Sequence, residues 1–143
     1  MALDKKTSAG YLANHMARLF FTGLARRIAT MGLAPGQFMV LLELWAKDGL
    51  TQKELVTGLD VEQATIANTL VRMERDGLVS RRARPVDGRS QSIHLTRKGK
   101  ALEEPATAAA KAQNAVALAN LSEAERRQFI TAMQKVIAAM RTG

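Results

Sequence analysis

The sequence is notable first for what it lacks: its 143 residues include no cysteine and only two histidines. Without cysteine the chain can form no disulfide, no thiolate metal site and no thiol redox switch. His15 and His94 lie too far apart along the chain to suggest a metal cage, so we expect no metal and no other cofactor.

Asp87 and Ser92 lie close to His94, but we place all three on an exposed hairpin, which offers no pocket for a catalytic triad. No phosphate-binding loop, dinucleotide fingerprint or nucleophile elbow occurs either, so we do not expect an enzyme.

Long apolar runs are also missing. The longest uncharged stretch near the middle covers residues 28–42 and is interrupted by two glycines and Pro35, so it is too short to span a bilayer. The N-terminal residues show no apolar run after the basic pair at positions 5 and 6, which argues against a secretory signal peptide. These features predict a cytoplasmic protein without a membrane partner.

Acidic and aromatic residues are scarce in one part of the chain. The whole sequence is 47% apolar, enough for the core of one domain, and carries a net charge of +8. Residues 72–100 hold nine of the 21 basic side chains and only three of the 13 acidic ones. All six aromatic residues lie outside this window, so unpaired bases would find no rings there on which to stack. A solvated face is one explanation of such a cluster; the other, which we favour, is a surface that binds duplex DNA.

Two short helices joined by a tight turn are predicted in front of this basic window. Thr51-Gln-Lys-Glu54 is a capping box that opens the first of them, and Gly58-Leu-Asp60 supplies the turn. The second covers about 62–76, buries Ile66, Leu70 and Met73, and ends at Gly77. Its opposite face carries a polar stripe of Thr65, Asn68, Thr69 and Arg72. This pattern is typical of a helix-turn-helix.

A basic hairpin follows the second helix. Residues 78–82 and 91–95 read as short strands, the latter with Ile93 and Leu95 inward and His94 outward, where we expect it to face phosphate. Residues 84–90 between the strands are rich in turn formers and arginine. A hairpin at this place indicates the wing of a winged helix, whose arginines can reach the minor groove.

Helices are predicted on both sides of this segment. An amphipathic helix covers about 10–30, and another spans 35–49. Thr96 caps a fifth helix that Pro105 should bend, and a capping box at Ser122 opens the last one. The first and the last two helices carry more apolar surface than a small winged helix can cover, which favours a second copy of the chain as their partner. Packing on their own monomer is the alternative.

Four stretches of the sequence carry a family resemblance: VEQATIANTL from Val61, MERDGLV from Met73, DGRS from Asp87 and HLTRKG from His94. In this order they resemble the MarR family of bacterial transcriptional regulators, and its SlyA-like branch most closely. The Asp-x-Arg pattern at Asp87 and the Leu-Thr-x-x-Gly pattern at Leu95 are the most specific elements, and the resemblance covers nearly the whole chain. It implies a mainly α fold of order α-α-α-α-β-β-α-α, with a winged helix-turn-helix over 33–96 and dimerisation helices over 8–32 and 97–143.

The resemblance also implies a function and its residues. A homodimer would repress transcription by binding a pseudo-palindromic DNA operator, with Arg89 at the wing tip entering the minor groove and Asp87 holding the wing in place. Gln63, Ala64, Thr65 and Asn68 match further contact positions of the family. With the polar stripe and the hairpin, the predicted DNA-binding residues are Gln63, Ala64, Thr65, Asn68, Thr69, Arg72, Arg84, Asp87, Arg89 and Ser90. Many members have Arg where this chain has Asn68, and Asn is suited to bidentate reading of adenine. The competing hypothesis from another class is an architectural or protein-interaction module without sequence preference or ligand response.

Many members of the resembled family release DNA when a small aromatic or amphipathic anion binds between the dimerisation helices and the winged helix. The candidates for such a site here are His15, Arg18, Phe38, Met39 and Trp45, which combine apolar walls with cations suited to a phenolic ligand. Phe38 and Trp45 also fit ordinary core packing, because they recur at helical spacing, and Met39 likewise fits packing.

Overall fold

The computed structural model describes residues 2–84 and 90–143, and the chain forms a mainly helical winged helix-turn-helix, as predicted. The helices are α1 (Ala9–Ile28), α2 (Pro35–Ala46), α3 (Gln52–Leu59), α4 (Gln63–Arg75), α5 (Arg97–Ala101), α6 (Glu103–Ala117) and α7 (Glu123–Thr142). The strands are β1 (Leu50–Thr51), β2 (Val79–Ala83) and β3 (Gln91–Leu95), and a short 3-10 helix, Ala29–Met31, continues α1.

Side-chain caps begin the helices where the sequence predicted them. The Thr51 hydroxyl accepts from the Glu54 amide at 3.1 Å while the Glu54 carboxylate accepts from the Thr51 amide at 3.0 Å. The same reciprocal pair joins Ser122 and Glu125 at the start of α7. These bonds to Thr51, the backbone amide first, lower the pKa of Glu54 below its usual value. Each box satisfies two amides that a helix start leaves without partners.

The sheet contains one more strand than predicted. Its order is β1-β3-β2, all antiparallel, with Val79 opposite Leu95 and Leu50 opposite Ile93. With only two residues, β1 is too short to show the alternation by which strands are recognised in a sequence. It anchors the base of the hairpin to the start of α3, which fixes the wing relative to the helix-turn-helix.

Three boundaries differ from the predicted ones. The α3 helix runs through Gly58 to Leu59, and the left-handed residue of the turn is Asp60, at φ 53°. Helix α2 ends at Ala46, three residues before Gly49, because Lys47 is already extended. The fifth predicted helix is broken at Leu102 rather than bent after Pro105: Pro105 lacks the N–H that would bond the Ala101 carbonyl, so it fits only in the first turn of a new helix, α6.

The core lies between α2, α3, α4 and the sheet. Its fully buried large side chains are Ile28, Val40, Leu41, Leu44, Leu55, Leu70, Met73, Leu78 and Ile93. Ile28 comes from α1, and the small side chain of Ala106 from α6 is buried in the same core, whereas α7 contributes no buried residue.

A buried junction joins the wing to the helices behind it. The Leu78 carbonyl oxygen accepts from the amide and the hydroxyl of Thr96, at 3.1 and 3.0 Å. The Trp45 indole N–H donates to the Gly99 carbonyl at 3.0 Å. Gly99, the last residue of the Leu-Thr-x-x-Gly pattern, is buried against Leu78.

The N- and C-terminal helices pack behind the winged helix, and Arg141 near the end of α7 donates to the Thr57 carbonyl of α3 at 3.1 Å. Helix α1 packs along α6, where the Arg27 guanidinium donates to the Gln113 side-chain oxygen at 3.0 Å. No residue of α7, which is described throughout, is buried. Among the described residues no single helix is long and apolar enough to cross a membrane, although the bent pair Ala9–Met31 and Pro35–Ala46 would pass together by length and composition.

Candidate nucleic-acid interface

Helix α4 is held by one face and presents the other to solvent. Ile66, Leu70 and Met73 are buried in the core, which fixes the rotation of the helix about its axis. The residues on the opposite side that are exposed include Ala64, Thr65, Asn68, Val71, Arg72 and Arg75. A helix anchored in this way can enter a groove of DNA without rearranging its own packing.

Thr69 is placed differently from the rest of the predicted polar stripe. It is half-buried, and its hydroxyl donates to the Thr65 carbonyl at 2.8 Å. It also lies beside Gly36, at the start of α2. Thr69 therefore contacts the neighbouring helix rather than extending the outward face with Asn68 and Arg72.

A polar cleft of about 490 Å³ lies between the start of α3, the start of α4 and the wing strands. It is lined by Thr51, Gln52, Lys53, Gln63, Arg81, Arg84, Ser90 and Gln91. Three of these, Gln63, Arg84 and Ser90, were predicted as site residues from the sequence. Lys53 was missed, although its position in the first turn of a capped helix next to a recognition helix is a signal for anion binding.

The wing strands carry the positive charge toward this cleft. Arg81 and the exposed Arg84 line the cleft, and the Arg84 amide donates to the Ser90 carbonyl at 3.3 Å. Arg81 is also paired with Glu74 of α4 at 2.6 Å, which ties β2 to α4. The predicted wing-tip residues Asp87 and Arg89 lie outside the described residues.

His94 has a structural role that differs from the predicted contact with phosphate. Its Nε2 lies 2.7 Å from the Ser92 hydroxyl, and its Nδ1 lies 3.9 Å from the Asp48 carboxylate. The other Asp48 oxygen accepts from the Leu95 amide at 2.8 Å. The ring is half-buried against Gly49, so it braces the base of the wing instead of facing solvent.

The end of α4 is linked to the start of α2 by a hydrogen bond that bridges 39 positions of sequence. The buried Gln37 side chain donates to the Asp76 carboxylate at 3.1 Å and accepts from the Ala34 amide at 3.1 Å. The amide of Gln37, and then the guanidinium of Arg75, lower the pKa of Asp76 below its usual value. Helix α4 is thus fixed at its C-terminal end to helix α2, which begins at Pro35.

An apolar cavity of about 640 Å³ lies behind the winged helix, between α1, α2 and α6. Phe38 and Met39 line it, together with Phe20, Leu24, Lys111 and Asn114. The other predicted ligand residues do not line it; these are His15, Arg18 and Trp45. The Trp45 indole is hydrogen-bonded to the Gly99 carbonyl, and the His15 ring packs edge-on with the Tyr11 ring, with 6.2 Å between the ring centroids. Lys111 was missed because the alanine-rich run around it shows no chemistry in sequence.

Within residues 2–84 and 90–143, no group of three or more His, Asp or Glu side chains could hold a metal ion.

Known proteins are similar to this chain in sequence and in fold. The model of the MarR family matches residues 33–91. The HTH-type transcriptional repressor YetL of Bacillus subtilis is 35% identical over 82% of this chain and 67% of its own length. The HTH-type transcriptional repressor Rv2887 of Mycobacterium tuberculosis is 29% identical over 95% of this chain and 98% of its own. These relatives are transcriptional repressors and not enzymes, in agreement with the sequence prediction.

Solved structures agree with the sequence relatives. The PcaV transcriptional regulator from Streptomyces coelicolor, in complex with its natural ligand, superposes with a TM-score of 0.85 at 27% identity, covering 98% of this chain and 99% of that one. A regulator from Listeria monocytogenes complexed with 26mer DNA superposes with a TM-score of 0.86 at 24% identity, covering 94% and 89%. The second likeness supports the fold.

Proposed function

The chain belongs to the MarR family of transcriptional regulators, and from that premise we propose that it represses transcription as a homodimer bound to a pseudo-palindromic duplex operator. The observation that carries this proposal is the outward face of α4. The helix is anchored by its buried side, and its outward face is flanked by the polar cleft that Lys53, Arg81 and Arg84 line. Residues 33–96 would form the DNA-binding part, and residues 8–32 and 97–143 the dimerisation part. The SlyA-like branch is our placement within the family, and the cytoplasm, where a bacterial chromosome lies, our placement in the cell.

The proposed contacts divide by chemistry. Gln63, Ala64, Thr65 and Asn68 face the groove, where they would contact base edges and nearby phosphates. They are flanked by Arg72, Arg84 and Ser90. At the start of α3, Lys53 and Gln52 would add contacts with phosphates. Thr69 would support Thr65 through its hydrogen bond. Arg89 and Asp87 keep their proposed wing-tip roles in the minor groove.

Selection of bound sequences from random duplexes by the purified protein tests the proposal. We expect a consensus of two inverted half-sites whose centres lie about one helical turn, roughly 10 base pairs, or a multiple of it apart. Salt should weaken binding to operator DNA and to random DNA alike, while the ratio of the two affinities stays high. Binding without any consensus would instead support the architectural hypothesis and overturn the proposed repressor.

Replacing Lys53 by glutamine should weaken binding to operator and random duplexes by a similar factor. Because Lys53 would contact phosphate, its loss should reduce the slope of log affinity against log salt by about one for each protomer. Salt titrations measured by fluorescence anisotropy give this slope. Lys135→Gln, which removes an exposed lysine from α7, is the matched control and should leave the slope unchanged. An unchanged slope for Lys53→Gln would remove Lys53 from the interface.

Replacing Asn68 by alanine should relax the operator sequence at one position in each half-site. Asn68 is exposed on the outward face of α4, and an asparagine there can form paired hydrogen bonds with adenine, worth about 1–3 kcal/mol. We expect the variant to lose its preference for A·T at that position while its affinity for random DNA stays the same. Repeating the selection with the variant measures this, and an identical consensus would contradict the assignment.

Homodimerisation is proposed from the apolar surface of the terminal helices. Leu12, Leu19 and Phe21 of α1, Val116 of α6, and Ile130, Val136, Ile137 and Met140 of α7 are all exposed in the single chain. Large apolar patches of this kind mark protein interfaces. A second copy of the chain is the partner that a pseudo-palindromic operator requires.

Ligand release is proposed from the cavity behind α2. Its apolar walls and the single cation Lys111 among its lining residues suit a small aromatic or phenolic anion, and the similar PcaV regulator was solved with a natural ligand. Helix α2 lines the cavity and is bonded through Gln37 to Asp76 at the end of α4. A ligand that moved α2 would therefore shift the recognition helix.

A further inference from the structure

Val71 is an exposed apolar side chain in an otherwise polar surface. It lies on α4 and leaves 59% of its surface in solvent. In the described part of the winged helix from Lys47 to Thr96, Val71 is the one large hydrophobic side chain that is exposed to solvent. The other exposed ones lie on α1, α6 and α7, beside the cavity on α2, or before α1. The proposed dimer and ligand site thus account for most of them and leave Val71 without a partner.

The position of Val71 on α4 points to its partner. It follows Asn68 by three residues and Ala64 by seven, and such spacings place side chains on one face of a helix. The buried residues Ile66, Leu70 and Met73 occupy the opposite side, so Val71 belongs to the face that the proposed function turns toward the major groove.

We propose that Val71 reads a thymine by packing on its C5-methyl group, in the same half-site that Asn68 reads. This inference rests on the proposed function and extends it to the base composition of the operator. The thymine methyl is the apolar group that base pairs display in the major groove, and apolar side chains recognise it by contact. Neighbouring positions on one helix face are about 5–6 Å apart, so the thymine lies within roughly two base pairs of the adenine opposite Asn68.

Replacing thymine by deoxyuridine, one position at a time in the selected operator, tests the contact, because deoxyuridine lacks only the methyl group. For the unmodified protein we expect one thymine per half-site at which the substitution lowers affinity about fourfold, the factor for one buried methyl. Val71→Ala should bind the deoxyuridine and thymine operators equally well. The variant should fold, since the side chain is exposed and alanine favours helix.

The control variant is Leu3→Ala, which removes an exposed apolar side chain from the segment before α1 and should keep the full thymine sensitivity. Unchanged sensitivity in Val71→Ala, or no sensitive thymine in a clear consensus, would overturn the inference and leave the proposed repressor standing. The absence of any consensus would overturn the repressor and the inference with it.

Discussion

Replacing Gly99 by alanine should lower the free energy of unfolding by about 3 kcal/mol and the melting temperature by about 10 °C. A Cβ at Gly99 would overlap the Leu78 carbonyl oxygen and lie 3.2 Å from Cδ2 of Leu95. The oxygen is backbone and holds two hydrogen bonds from Thr96, so it cannot move aside without breaking them. A shift of Gly99 itself would disturb the bond from Trp45. Thermal and urea unfolding followed by circular dichroism measure the loss.

A second glycine supplies the matched control for this prediction. Gly10 lies in the first turn of α1 with open space around it, so Gly10→Ala should leave stability unchanged or raise it slightly. If Gly99→Ala unfolded at the same temperature as the unmodified protein, the close approach of Gly99 to Leu78 would not be a determinant of the fold. The same variant should bind DNA less tightly when folded, because the junction sets the position of the wing.

The sequence carries enough information for the parts of the fold that depend on local chemistry. The capping boxes at Thr51 and Ser122 are formed as predicted, and Gly32 and Gly77 both end helical segments at φ 74°. Helical spacing identified the buried face of α4 from Ile66 onward. These features depend on neighbours within a few residues, which is why the pattern along the chain reveals them.

Features that depend on residues distant along the chain could not be predicted from the sequence pattern. Strand β1 exists because Leu50 and Thr51 pair with β3, more than 40 positions away, and nothing in two residues predicts such a pairing. The turn predicted over Gly58-Leu-Asp60 begins only at Asp60, because Leu59 packs against the core and keeps the last turn of α3 helical. The requirement for glycine at position 99 was visible as a motif, but its cause, the Leu78 carbonyl, is a tertiary contact.

In the candidate site, too, the sequence predicted the features that depend on local spacing and missed those that depend on tertiary contacts. The face of α4 followed from periodicity, so Thr65, Asn68 and Arg72 are exposed together as expected, and only Thr69 of the predicted stripe is half-buried. The cleft that adds Lys53 and Gln91 required the wing to be placed beside α3, which the sequence does not reveal. In the cavity only Phe38 and Met39 were anticipated, because a cavity is defined by the meeting of three helices and not by the pattern on one.

Replacing Ile137 by aspartate should convert the proposed dimer into a monomer and lower operator affinity by a factor of about 100 or more. Ile137 is 51% exposed in the single chain and adjoins Val136 and Met140, which are also exposed. In a symmetric interface the substitution would bury two unpaired carboxylates, one from each protomer, at a cost of several kcal/mol. Sedimentation velocity at micromolar concentration measures the oligomeric state, and binding to a full operator and to a single half-site measures the consequence.

The winged helix should survive this substitution, because α7 contributes none of the fully buried side chains and the core is complete without it. Binding to a single half-site should therefore change little, while binding to the full operator falls toward the half-site value once the two reading heads are no longer linked. Ala138→Asp adds the same charge one residue further along α7, about 100° around the helix and away from the apolar face, and should remain dimeric. Dimers that persist in Ile137→Asp would place the interface elsewhere. Full operator affinity in a proven monomer would mean that one winged helix suffices for recognition, and the pseudo-palindromic operator would then lose its physical basis.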